Sequence, residues 1–433
     1  MRPKGSNNMG WNEQAPGRRD RFLRVLVTST FMGLSAAGVV AAQPYEQPKD
    51  RRVAEVLPAN IAAGPAYRVK DPVGADGYMY RFTVDSQFGR FDVIGGGALR
   101  KLVREIHAIG ALREIKKSKA FTDAVKDSAS GPFRFAKNLI TNPVDTVSGV
   151  PKGAYKLIEE TETAMTSERD PSDDPAYKKA LLMSGRKREF ATQLGVDPYS
   201  SNAVLQKDLN SVAWAAAAGN LTVSAALMPV GGAAGATVSG VRWTNAVNDY
   251  IKAEPASRLR IINEGKLKAM GIPDDLAKRY LDHKAFSPRH DIILVEALAQ
   301  MGGARGRERF VEAALAAEDE VDANFFTSMA QIMRGYNETV SPITEIQQVG
   351  GRLIIAQTRG GSALVALPID SLLWTQAVDR RLKELKDKYR AAGFNGKLEL
   401  WLTGRASALA RKRLTERGVT VVEEVQKRVE VID

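Results

Sequence analysis

The chain contains no cysteine among its 433 residues and only three histidines. The first absence excludes disulfides, thiolate nucleophiles, metal–thiolate sites and lipid attachment to an N-terminal cysteine. Motifs are missing as well: no G-x-G-x-x-G, Walker, G-x-S-x-G, H-E-x-x-H or EF-hand pattern occurs. The local signatures of dinucleotide, nucleotide, acyl-transfer and metalloprotease chemistry are therefore lacking. Aliphatic content is ordinary and charge is not extreme, so most of the chain should fold, and 433 residues suffice for two or three domains with cores of their own.

The formal charge is +12, of which the first 42 residues, with six basic and two acidic side chains, carry a third. The remainder is mildly basic and spread over a long chain, compatible with an anionic surface but not a signature of one. Arg18, Arg19, Arg21 and Arg24 precede the uncharged apolar run Val25 to Ala42. Val40-Ala41-Ala42 then places small residues ahead of Gln43. This is the layout of a secretory signal peptide over residues 1–42, with cleavage near Ala42, and an uncleaved anchor is the alternative. Export to the periplasm makes nucleic acid an unexpected partner.

Beyond it, an α+β multidomain chain is expected. Residues 43–65 are proline-punctuated and aperiodic, and read as a flexible leader. In 66–120, Tyr78, Tyr80, Phe82 and Val84 alternate with polar or flexible neighbours, which predicts a small β-meander. The triplet Gly95 to Gly97 leads from it into an amphipathic helix with Leu99, Leu102, Val103, Ile106, Ile109, Leu112 and Ile115 on one stripe. The basic back of this helix is expected to face solvent or a lipid surface. Residues 121–175 form a connector cut by Pro132, Pro143 and Pro151. An all-α domain is predicted over 176–340, punctuated at Gly195, Gly271-Ile272-Pro273 and Ser287-Pro288. A C-terminal ββαβαβ α/β domain is predicted over 345–433, opening on a hairpin through Arg359 to Ser362 and ending on a parallel βαβ unit.

Trp214 to Val241 carries no charge. From Val212 to Val241 nine residues are large and apolar and nineteen are Ala, Gly, Ser or Thr, with Asn220 and Pro229 interrupting. Membrane insertion draws on large aliphatics over about twenty residues. The segment therefore predicts a buried helical hairpin flanked by Trp214 and Trp243 and bent at Pro229. Gly232, Ala236 and Gly240, at four-residue steps, would permit close helix contact. Docking on or insertion into a membrane is the alternative.

Chemistry is sparse. Ser184 and Lys187 have S-x-x-K spacing, within a Lys/Arg run expected to be solvated. His107, His283 and His290 have no recognised ligand spacing and read as structural, so neither metal nor cofactor is expected. The strand-to-helix turn "LTGRAS" is the candidate anion site, with Gly404, Arg405 and Ser407 as donors. Asp370 and Ser371 should lie near the same edge, capping a helix. These features predict a non-enzymatic binding or scaffolding module of the cell envelope, engaging a protein partner or an anionic membrane surface. The alternatives are an envelope hydrolase whose groups converge only in the fold, and a membrane-inserting protein using 212–241.

Overall fold

The computed structural model describes residues 45–127, 175–218, 221, 242–391 and 393–432. The expected signal peptide, most of the connector, and Pro229, Gly232, Ala236 and Gly240 of the Ala/Gly hairpin lie outside them. Among the described residues helix and sheet are mixed, with 53% helix outweighing 18% strand.

The expected leader takes structure. Residues 53–64 form α1 (Val53–Val56), α2 (Ala59–Ala62) and β1 (Ala63–Gly64). Its aperiodicity hid this, because each piece is only a turn or a pair of residues. The meander follows as β2 (Tyr67–Val69), β3 (Gly74–Ala75), β4 (Tyr80–Ser86) and β5 (Gly89–Ile94). The central β4 pairs antiparallel with β2, β3 and β5. Its alternation turns Phe82 and Val84 inward onto α3 (Gly96–Lys117), whose aliphatic stripe is buried throughout. The second half of that stripe continues into another core with α4 (Lys119–Asp127), α5 (Pro175–Gln193) and α6 (Ala203–Ala218). Trp214 lies half-buried against this second core.

Helices α7 (Arg242–Ala253), α8 (Ala256–Ala269), α9 (Asp274–Leu281), α10 (Pro288–Ala299), α11 (Arg307–Ala314) and α12 (Glu320–Thr339) come next. Trp243 falls within α7. Helix α10 begins at a capping box in which Ser287 and His290 satisfy each other's backbone amides. The C-terminal part contains β6 (Ile343–Gly350), β7 (Leu353–Thr358), β8 (Ala363–Leu367), β9 (Ser371–Leu372) and α13 (Gln376–Ala391). It ends with β10 (Leu398–Leu402), β11 (Arg405–Ala406), α14 (Ala408–Glu416) and β12 (Val419–Val422).

The main sheet has the order β12-β10-β8-β7-β6. It is antiparallel from β6 to β8 and parallel from β8 to β12. For this sheet the expected ββαβαβ succession is thus one strand short, and the two-residue β9 and β11, which pair with each other, lie outside it. Strand β6 escaped notice because irregularities between Ile343 and Glu345 and between Gln348 and Gly350 break its alternation. Its buried residues Ile343, Ile346 and Val349 recur every third position, not every second.

Both faces of this sheet are covered. Ile354, Ala356, Leu364, Ala366 and Trp401 face the core built by α7 to α12. Ile355, Val365, Leu398, Leu400 and Leu402 face α13 and α14. The period-two split along β7, β8 and β10 makes the sheet the floor of two cores. One of those cores runs continuously from the helices across residues 340–345 into the sheet.

Candidate functional site

Strands β8 and β10 run parallel, and their carboxyl ends meet at Leu367 and Leu402. In open α/β sheets this edge is where ligands are held, and it is where Gly404, Arg405 and Ser407 were expected to act. The structure brings all three there. Gly404 lies so close to the Asp370 backbone that a Cβ would stand 1.9 Å from its carbonyl oxygen. The Arg405 guanidinium pairs with Glu424 at 3.1 Å. Ser407 Oγ accepts from the Ala410 amide at 2.9 Å, capping α14. The amide of Ala406 donates to Glu423 at 2.8 Å. The Arg405 guanidinium, the Ala406 amide and the Ser407 hydroxyl are thus each engaged by one of the chain's own carboxylates.

Two further carboxylates reach this edge from the N-terminal part of the chain or hold that part in place. Asp370 leaves the end of β8 and accepts from the amides of Tyr80 at 2.9 Å and Gly96 at 2.8 Å. It does cap a helix, as its type suggested, but the helix is α3, 274 residues away. Burial pushes its carboxyl above the usual value, against the pull of those amides. The turn before β4 locks in beside it, since the amides of Asp370 and Ser371 both donate to the Tyr78 carbonyl, at 2.9 and 3.0 Å. Ser371 itself caps no helix: it pairs in β9 with β11, and the hydroxyl of Thr375 accepts from the Val378 amide at the start of α13.

Glu46 fills the remaining position. Its carboxylate accepts from the Trp374 amide at 2.6 Å and from the Ser407 hydroxyl at 2.5 Å, while its own amide donates to the Trp374 carbonyl at 2.8 Å. Beside it the Tyr45 hydroxyl donates to Asp379 at 3.0 Å, and the other oxygen of Asp379 pairs with Arg417 at 3.0 Å. The Arg417 guanidinium lies 4.6 Å over the Trp374 ring. No local pattern marks Glu46, because its partners are more than 320 residues away.

A second polar cluster lies where α3, the 197–202 loop, α10 and α12 converge. Lys101 Nζ pairs with Glu320 at 2.6 Å, and the Ser201 hydroxyl donates to the other Glu320 oxygen. The buried Glu105 accepts from Ser200 at 2.6 Å and Asn202 at 2.9 Å. His290 Nε2 lies 3.0 Å from Asn324. Burial works against the charge on Glu320, yet Lys101, His290 and the Ser201 hydroxyl hold its pKa down to about 2. Burial pushes Glu105 up, with Lys101, Ser200 and Asn202 opposing. Burial pushes His290 down, toward the neutral ring. Two carboxylates around one lysine thus shift in opposite directions.

The basic back of α3 is paired rather than open. Arg113 and Lys116 both bridge to Asp208, at 3.2 and 2.7 Å, and Lys101 is held by Glu320. The Ser184 hydroxyl accepts from Arg188 at 2.7 Å. Lys187 and Arg188 are buried, so the Lys/Arg run is not the solvated face expected of it; α5 turns that side toward its neighbours. Among the described residues no three His, Asp or Glu side chains gather as a metal site, and no helix is long and apolar enough to cross a membrane. Compared with known proteins, the chain matches no family model, no curated protein and no solved structure.

Proposed function

We propose that this chain is an exported envelope protein that acts as a non-enzymatic binding or scaffolding module. Its parts would be an N-terminal meander with its helix, a central helical region and a C-terminal α/β region. The observation that carries this reading is the occupation of the sheet edge by the chain itself: Glu46, Glu423 and Glu424 take the Ser407 hydroxyl, the Ala406 amide and the Arg405 guanidinium, and Asp370 holds the amides of Tyr80 and Gly96 beside them. The arginine-led apolar segment before Gln43 supports export. The pairing of Lys101, Arg113 and Lys116 favours a protein partner over an anionic membrane surface, because paired cations offer little to lipid headgroups.

The test is fractionation of cells expressing a C-terminally tagged chain, with N-terminal sequencing of the recovered protein. A soluble periplasmic species beginning at Gln43 is expected. Recovery from the cytoplasm with the N-terminus intact would overturn export.

A second reading, an envelope hydrolase, has one observation in its favour: the opposed carboxylates Glu105 and Glu320 around Lys101. Substrate-dependent turnover by the purified chain, abolished in Glu105→Gln without loss of fold, would select it.

A further inference from the structure

The contacts of Tyr45 and Glu46 have the form of peptide recognition. The segment is read at one backbone point, by the Glu46 amide on the Trp374 carbonyl, and through two consecutive side chains. The carboxylate sits at the N-terminal end of α14, a nine-residue helix, where the helix field and the Ser407 hydroxyl both favour negative charge. The tyrosine hydroxyl is taken by Asp379, whose charge Arg417 balances. Pro48 then passes close over Gly77. Room remains beside the occupant. A groove of about 260 Å³ runs from Tyr45 along α13, past Gln376, Arg380, Lys383 and Asp387.

We infer that this seat, bounded by Trp374, Asp379, Ser407 and Arg417, is a recognition site for a polypeptide segment carrying an aromatic hydroxyl followed by a carboxylate, and that Tyr45-Glu46 is its occupant in cis. The inference rests on the binding-module reading and names the chemistry of the partner. The ligand is a polypeptide because the seat reads backbone as well as charge, which a free anion could not satisfy. The cis segment is tied to the fold nearby, where Arg51 bridges to Val73, so it competes at an effective concentration on the order of millimolar. A partner segment therefore gains access only by displacing it.

The experiment uses the full chain and a fluorescent peptide with the sequence of residues 43–50, QPYEQPKD. The Tyr45→Ala/Glu46→Ala double variant, with its seat emptied, should bind this peptide at least about tenfold more tightly than the unaltered chain. A peptide with glutamine in place of its glutamate should lose most of that binding, as should the double variant with Ser407→Ala added. If the double variant melts out of the fold, Glu46→Gln replaces it, keeping the shape while removing the charge. Equal binding to the emptied and unaltered chains, or none to a folded emptied chain, would overturn the inference. Either result leaves the periplasmic location intact, whereas a cytoplasmic location would remove the export reading and leave the peptide result standing.

Discussion

Glu320 shows how much a single side chain can depend on partners that its own neighbourhood does not name. Burial works against its charge, yet Lys101, His290 and the Ser201 hydroxyl hold its carboxyl down to about 2, below the usual 4.5. A carboxyl whose folded value is depressed stabilises the fold above its unfolded value, and that stability is lost as pH falls from about 4.5 toward 2. His290 acts over a higher range. Its folded value lies below the ordinary 6.5, so the unfolded chain takes up a proton first and stability declines as pH falls below 6.5. Glu105 has the opposite sign, since its folded value is raised and acid favours the fold through it. Glu320→Gln is expected to cost about 1–2 kcal/mol at pH 7, between the values for exposed and buried pairs. It should also flatten the decline between pH 4.5 and 2. Urea midpoints of both proteins across pH 2–7 check this, and an unchanged acid limb would show that the Lys101 pairing contributes nothing to stability. None of these roles was legible in the sequence, where Lys101 was one of several basic residues on the back of α3 and Glu320 one of several acids at a helix start.

Among the elements, α3 was the most legible, because a buried helix must repeat its apolar residues at three- and four-residue steps whatever it packs against. The hairpin of β7 and β8 was legible for a similar reason: two apolar runs joined by a glycine pair can fold locally. Strand β6 was not, since bulges move its inward residues off alternation. The start of α3 shows a different limit. Gly95 to Gly97 read as a strand-to-helix joint, and they are one, but Gly96 donates to Asp370 at the far end of another sheet. Asp370→Ala would leave the amides of Tyr80 and Gly96 without this acceptor, and should cost about 2 kcal/mol, the usual value for hydrogen bonds to a charged group. Asp370→Asn, which keeps one acceptor oxygen, should fall between. Denaturant titration decides, and a neutral Asp370→Ala would mean that water takes over the cap.

At the scale of the molecule, the decisive feature is the sheet lined on both faces. Ile354 and Ile355 are neighbours in β7, yet they belong to different cores, one shared with α7 to α12 and the other with α13 and α14. Truncating either to alanine should cost about 2–5 kcal/mol. Because the sheet is common to both cores, loss of helix by circular dichroism and change in tryptophan fluorescence should stay coincident in each variant. A separate transition for one of them would show that the two cores unfold independently. The sequence by itself determined the features that depend on near neighbours: the apolar stripes, turns and helix punctuation, the absence of disulfides, and the basic-then-apolar segment before Gln43. Only the tertiary structure decided which carboxylate meets which amide, and that the sheet edge is filled by Glu46 and the segment that Asp370 holds. The physical reason is range. Periodicity is imposed by backbone geometry over a few residues, whereas a charge is satisfied by whatever donor the folded chain brings to it, from any distance along the sequence.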